Sequence, residues 1–222
     1  MNGPRCLLLD HDDTAVDSTR EIHYPSHLES MRTLRPGRAP VSLEGFFLAS
    51  CDPGISEFLR VDLGLDAAEL AEDSRIWRRH NEAGNPRFYP GFLDILREFH
   101  GRGGLVAVIS HSERDVIERH YRGADGGRFL PDLIFGWDDD PDRRKPSPWP
   151  VREALRAFAL EPSDALIVDD LKPGVLMGQA AGVAVAAAGW GHSIPAIRTY
   201  MREHCAAYLE TVEDLRRLVL GG

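Results

Sequence analysis

Asp10 and Asp12 stand two residues apart at the end of the apolar run Leu7-Leu8-Leu9. Apolar runs of this kind read as buried strands of a parallel sheet. The loop that follows such a strand opens at the carboxyl edge of the sheet, where α/β proteins place their chemistry. Two carboxylates held that close repel unless something neutralises them, and Mg²⁺, which takes hard oxygen ligands, is suited to the task. A solvated acidic turn after a strand would use the same two residues, so the pair needs company before it means catalysis.

Three other segments supply it. Leu105-Val106-Ala107-Val108-Ile109 reads as a second buried strand, ending in Ser110-His111-Ser112. Ser112 is placed to cap the next helix, with Asp115 as the acid of a capping box. Arg143-Arg144-Lys145-Pro146-Ser147-Pro148 holds a cation in a loop stiffened by prolines. Ala165-Leu166-Ile167-Val168 reads as a third strand, ending in the paired carboxylates Asp169-Asp170, and Pro173 can open the helix after it. Taken singly, each segment is also an ordinary turn or solvated loop.

In chain order these are strand-Asp-x-Asp, strand-Ser, Lys-Pro and strand-Asp-Asp, and in that order the sequence resembles the haloacid dehalogenase (HAD) superfamily of hydrolases over nearly its whole length. The resemblance is to the phosphoglycolate phosphatase and β-phosphoglucomutase-like group. It implies that Asp10 is the nucleophile that attacks phosphorus. Asp12 would be the general acid that protonates the leaving oxygen, then the base that activates water. Mg²⁺ would be held by Asp10, the backbone carbonyl of Asp12 and Asp170, with Asp169 as a further ligand or just behind the ligands. Ser110 and the His111 backbone N–H would bind phosphoryl oxygens, and Lys145 would compensate the charge of Asp10 and the phosphoryl group. Such chemistry is mostly positioning and charge stabilisation, because the phosphoryl oxygens repel nucleophiles.

The chain departs from the family pattern in three places. Asp13 stands where relatives carry Gly, and His11 where they carry a bulky apolar residue. Asp13 suits a turn, and the His11 side chain is expected to diverge from the site, since alternate residues at a strand end face opposite ways. Gly174 stands where many relatives carry another Asp; this resembles the Glu-Asp-Ser-x-x-Gly form of the group, with Asp169 in place of Glu. Asp12 itself sets the chain apart from the dehalogenases and phosphonoacetaldehyde hydrolases, which lack the second acid. A phosphatase acting on a small phosphorylated metabolite is the expected function. The alternatives are a phosphomutase of the β-phosphoglucomutase type and, in a different class, a pseudoenzyme that binds a phosphorylated ligand.

Composition fits an enzyme of this kind. The 222 residues suffice for one substantial core with a small appended domain. A net charge of −9 without a dense basic patch argues against nucleic-acid binding, and no apolar run is long enough to span a membrane. The first strand begins within a few residues of Met1, leaving no room for a secretory signal, and three scattered cysteines (Cys6, Cys51, Cys205) suit a reducing cytoplasm. No feature of the sequence specifies an oligomeric state.

The elements that position the motifs follow. Strands alternating with helices imply an α/β, Rossmann-like parallel sheet with helices on both faces. Between the first strand and Leu105 the pattern is mostly helical, which implies a small α-helical cap inserted after the first motif, with the core at 1–16 and 87–222 and the cap at 17–86. Its helices are expected over Ser18–Leu34, from an Asp52 N-cap with Pro53 at the first position to Gly64, and from Asp66, with Glu69 in a capping box, towards His80. In the core, helices are expected over Gly91–His100, Glu113–Tyr121, Trp149–Ala159 and Pro173–Ala181. Strands are expected at Leu133–Phe135 and Val183–Ala186, and a short edge strand and closing helix over Tyr208–Leu220. Asp138-Asp139-Asp140 reads as a solvated turn. His23 and His27 share a helix face, as a packed pair or as two zinc ligands without an evident third. Arg32, Arg35 and Arg38 are solvated charges or a second anion site. Trp190-Gly191-His192 either packs or reaches the mouth of the site.

Overall fold

The computed structural model describes residues 3–221. In chain order, strand β1 (Cys6–Leu9) and the short β2 (Val16–Asp17) lead into a wide helical turn (Thr19–His23) and α1 (Tyr24–Leu34). Then come α2 (Leu43–Ala49), α3 (Ile55–Glu57, continued by a wide turn over Phe58–Asp62), α4 (Ala67–Ala83) and the short β3 (Arg87–Phe88). The remainder alternates: α5 (Phe92–Gly101), β4 (Leu105–Ile109), α6 (Arg114–Gly123), β5 (Leu133–Phe135), α7 (Trp149–Phe158) and β6 (Ala165–Asp169). It closes with α8 (Lys172–Ala181), β7 (Ala184–Ala188), α9 (Pro195–His204), β8 (Ala207–Leu209) and α10 (Val212–Leu220). Asp17–Arg87 forms one compact unit, and the chain on either side of it forms the other.

The larger unit is built on a six-stranded parallel sheet of order β5-β4-β1-β6-β7-β8. β1 sits inside the sheet, with Leu9 beside Val108 of β4 and Val168 of β6. That register brings the residues just past three strand ends, Asp10, Ser110 and Asp170, to one edge. The faces alternate as the pleat demands. Leu7, Leu9, Val106, Val108, Val168 and Ala186 join Phe92, Leu96 and Phe99 of α5 and Leu215 and Val219 of α10 in one core. Ile167 and Val185 point the other way, where a Cβ added at Gly178 of α8 would meet both. This is the α/β, Rossmann-like architecture, with helices on both faces.

The helical unit has its own core of Met31, Phe46, Ala49, Phe58, Leu63 and Leu65. Asp66 and Glu69 cap α4 reciprocally, as the spacing leads one to expect. The Asp52 expectation fails. Asp52 is extended (φ −154°, ψ 119°) and Gly54 lies at φ 102°, so α3 starts at Ile55. The cause is local: a residue before proline is pushed out of the helical region, and Gly54 then takes a conformation that only glycine adopts at little cost. Helix α2 and, in the larger unit, α9 were not anticipated. His23 and His27 are packed. The Trp77 indole N–H donates to His23 Nδ1 at 3.0 Å with the rings stacked, and His27 lies among Tyr24, Phe46 and Phe58, where burial pulls its imidazole down to about 4. Arg35 forks onto Glu69 and bonds the carbonyls of Leu63 and Gly64, and Arg38 donates to the Asp62 carbonyl. These two arginines tie loops together.

Candidate active site

The carboxylates and Ser110 of the site are delivered by strand ends, and Lys145 by a loop. Asp10 directly follows β1, and its backbone N–H still donates to Val168 of β6 at 2.9 Å. The chain then turns through Asp13, which sits at φ 56°. Asp tolerates this left-handed conformation better than most residues, so the turn forms without a glycine. Ser110 follows β4, with its N–H on Phe135 of β5. Asp169 ends β6, and Asp170 follows it. Lys145 arrives on the loop before α7, and the His111 imidazole donates to the Lys145 carbonyl at 2.9 Å.

The structure brings these residues together. Lys145 Nζ lies 2.5 Å from Asp10 Oδ1 and 2.9 Å from Asp169 Oδ2, and all three residues are buried. Asp10, Asp169 and Asp170 each present a carboxylate oxygen within 4.8 Å of the others. Burial raises Asp10 to about 7, with Lys145 pulling it down and Asp169 and Asp12 pushing it up. Burial, then Asp10 and Asp169, hold Asp170 well above the usual carboxylate range. Burial alone would lower the Lys145 ammonium, but Asp10 and Asp169 outweigh it and keep the group charged. Burial, helped by the nearby Lys145 charge, lowers His111 to about 4, so its imidazole is neutral at ordinary pH.

The donor set fits a hard divalent cation. With all three carboxylates ionised they would outnumber the one ammonium by two charges, and the upward shifts of Asp10 and Asp170 are what that crowding produces. Among the described residues Asp170 Oδ2 is buried without a hydrogen-bond partner, with His192 Nε2 at 3.7 Å, while Oδ1 accepts from the Thr14 hydroxyl at 3.4 Å. Asp169 is more occupied: Oδ2 takes Lys145 and Oδ1 accepts the Leu171 N–H at 3.0 Å. Asp12 points elsewhere, with Oδ2 accepting from the hydroxyls of Ser112 at 2.5 Å and Ser110 at 3.3 Å. His11 turns away from the cluster, sharing a 3.0 Å hydrogen bond with His120.

Several residues here exceed what the sequence suggested. Ser112 does not cap α6: the N-cap is Glu113, without a side-chain cap bond, and no capping box with Asp115 forms. The hydroxyl that would have capped the helix is committed to Asp12 instead. The Asp138–Asp140 run is an exposed turn, with Asp140 capping a short helical turn at Pro141–Arg143. Trp190-Gly191-His192 reaches the site. The Trp190 indole N–H donates to the Thr14 carbonyl at 3.0 Å, and His192 Nε2 donates to the Asp170 carbonyl at 3.3 Å. Between them, a Cβ added at Gly191 would overlap the Asp13 carbonyl oxygen. Gly191→Ala is therefore expected to push the turn after β1 aside, costing about 1–3 kcal/mol as overpacking does, and to disturb the carboxylate cluster that this turn borders. Urea unfolding and kcat on the same preparation check this; wild-type values for both would refute the close packing.

A family model for haloacid dehalogenase-like hydrolases matches residues 7–188. Pyrophosphatase PpaX of Halalkalibacterium halodurans is 26% identical over 96% of this chain and 95% of its own. Phosphoglycolate phosphatase 1 of Pseudomonas aeruginosa is 27% identical over 86% of this chain and 71% of its own. Among solved structures, a haloacid dehalogenase-like hydrolase from Streptococcus pneumoniae superposes with a TM-score of 0.74 at 20% identity, covering 96% of each chain. CbbY of Rhodobacter sphaeroides, in complex with xylulose 1,5-bisphosphate, gives 0.71 at 21% identity over 94% of this chain and 95% of that one. The chain belongs to the haloacid dehalogenase-like hydrolase family. It is an enzyme, a hydrolase on an α/β core, and among its described residues no helix is long and apolar enough to cross a membrane.

Proposed function

We propose that this chain is a Mg²⁺-dependent phosphatase that hydrolyses a small phosphorylated metabolite through a phosphorylated Asp10. The observation that carries the reading is the buried cluster of Asp10, Asp169 and Asp170 around Lys145, three carboxylates crowded about one ammonium. In the first step Asp10 attacks phosphorus, the bond from phosphorus to the ester oxygen breaks, and that oxygen takes a proton from Asp12. In the second step Asp12, now a carboxylate, takes a proton from water; the water oxygen bonds to phosphorus and Asp10 leaves. Ser110 and the His111 backbone N–H hold phosphoryl oxygens, and Lys145 opposes the protonation of Asp10 that burial favours. Asp10, Asp170 and the Asp12 carbonyl, with Asp169 beside them, would hold Mg²⁺, whose charge would offset that of the phosphoryl oxygens. The relatives named pyrophosphatase PpaX and phosphoglycolate phosphatase 1 favour phosphate release over a mutase; phosphatase is therefore the reading adopted. The free thiols of Cys6, Cys51 and Cys205 suit the cytoplasm.

A phosphate-release screen of purified protein with Mg²⁺ tests this. It should span phosphorylated small metabolites, phosphoglycolate and inorganic pyrophosphate. Release from one or several monoesters is expected, falling at least about tenfold in excess chelator and returning with added Mg²⁺. A preference for pyrophosphate over every monoester would move the substrate to the phosphoanhydride. Release from none of them, or full activity in chelator, would overturn the proposal.

A further inference from the structure

We infer that Ser112 is a positioning residue that holds the Asp12 carboxylate for proton transfer and directs the exchanged proton to Asp12 Oδ1. The inference rests on the role proposed above for Asp12. The Ser112 hydroxyl donates to Asp12 Oδ2 at 2.5 Å, across a sequence separation of 100 residues, and Ser112 is buried. Its backbone is clamped as well. The Trp137 N–H donates to the Ser112 carbonyl at 2.9 Å, and Gly136 packs so close that an added Cβ would collide with that carbonyl and the Arg114 backbone. The hydroxyl is thus aimed by the strand β5 exit on one side and by the start of α6 on the other.

Ser110 cannot do this work alone. Its hydroxyl has one hydrogen, which lies 3.3 Å from Asp12 Oδ2, and its oxygen accepts the Ser112 N–H at 3.0 Å. When a phosphoryl group binds, Ser110 must turn that hydrogen to a phosphoryl oxygen, and Asp12 loses the contact. Ser112 then remains as the hydroxyl on Oδ2. A carboxylate oxygen that already accepts a short hydrogen bond is the poorer place for a proton, so the proton delivered to the leaving oxygen resides on Oδ1. The two serines, two residues apart at the β4 exit, divide the labour: Ser110 serves phosphorus and Ser112 serves the acid.

Leaving-group dependence tests this, because protonation matters for an alkoxide and little for a nitrophenolate. The kcat/KM, which reports formation of the phosphorylated enzyme, should be measured for an alkyl monoester (glycerol 2-phosphate) and for p-nitrophenyl phosphate in Ser112→Ala, Ser112→Thr, Asp12→Ala and the Ser112→Ala/Asp12→Ala double variant. Ser112→Ala is expected to lower the alkyl value about thirtyfold, a fraction of what a general acid supplies, and the aryl value less than about threefold, with KM little changed. Ser112→Thr, which keeps the hydroxyl, should retain most of the activity, and the double variant should be no worse than Asp12→Ala, since the two residues act as one unit. Equal losses on both esters, a loss confined to KM, or additive losses in the double variant would overturn the inference while leaving the role of Asp12 standing. Asp12→Ala that hydrolyses the alkyl ester within threefold of wild type would instead remove the acid–base role of Asp12 itself.

Discussion

Asp10→Asn is expected to cut phosphate release at least about a thousandfold while the protein stays folded, because the exchange removes the proposed nucleophile and almost nothing else. The amide has the size and shape of the carboxylate, so the packing at the end of β1 survives. What changes is charge. Asp10 Oδ1 is the 2.5 Å partner of Lys145 Nζ, yet Lys145 keeps Asp169 at 2.9 Å and is not left unpaired. Burial and the neighbouring carboxylates already strain the Asp10 charge, raising the group to about 7. Removing that charge relieves repulsion from Asp169 and Asp170 as it forfeits attraction to Lys145, so the two changes offset in stability. Turnover has no such compensation, since an amide oxygen is a poor nucleophile towards phosphorus. Circular dichroism, a thermal melt and phosphate release on one preparation separate these outcomes. Residual activity within tenfold of wild type would exclude a phosphorylated Asp10, and an unfolded variant would show that the pair with Lys145 is structural. Acid-quenched wild-type enzyme should in addition carry labelled phosphate that the variant lacks.

The carboxyl edge of the sheet was legible in the sequence because the information there is local. Leu7–Leu9, Leu105–Ile109 and Ala165–Val168 are apolar runs that end in Asp10, Ser110 and Asp169, and parallel pairing in register brings those ends together. Lys145 was legible from its company of prolines, not from any local period. The failures share a different cause. Ser112 followed by an acid three residues on satisfies the rule for a capped helix, but a carboxylate from another strand competes for the hydroxyl and wins. A charge-assisted bond in a buried setting outweighs a cap on an accessible helix end. His192 and Thr14 meet Asp170 only because β7 lies beside β6 and the turn after β1 lies beside both. No local pattern encodes those meetings. Asp52 failed through a conflict of two sound rules: proline is welcome in the first turn of a helix, but the residue before it is driven to extended backbone, and Gly54 let the second rule prevail.

Gly174→Asp alone is expected to abolish turnover, at least about a thousandfold, although the family resemblance implies a carboxylate at that place in many relatives. The structure supplies the reason. A Cβ added at Gly174 would overlap Cγ and Oδ2 of Asp169, so the two positions compete for one volume, and in this chain Asp169 fills it. Asp169 also accepts from Lys145 through Oδ2 and from the Leu171 N–H through Oδ1, so displacing it disturbs the cation and the entry to α8 together. Forcing another carboxylate into the cluster would crowd its one ammonium further. Asp169→Gly alone should fail for the opposite reason: it vacates the volume and leaves Lys145 with Asp10 only. The double variant, Asp169→Gly with Gly174→Asp, restores one carboxylate to that space from the helix rather than from the strand. Its activity is expected within about tenfold of wild type, far above the product of the two single losses, as sites that share one volume are not additive. Mg²⁺ titrations of activity and calorimetric Mg²⁺ binding, read alongside thermal melts, report on the cluster directly. A double variant as inactive as Gly174→Asp would show that the carboxylate at Asp169 serves through the strand-borne geometry that bonds Lys145 and Leu171, and not merely as a charge occupying the space beside Gly174.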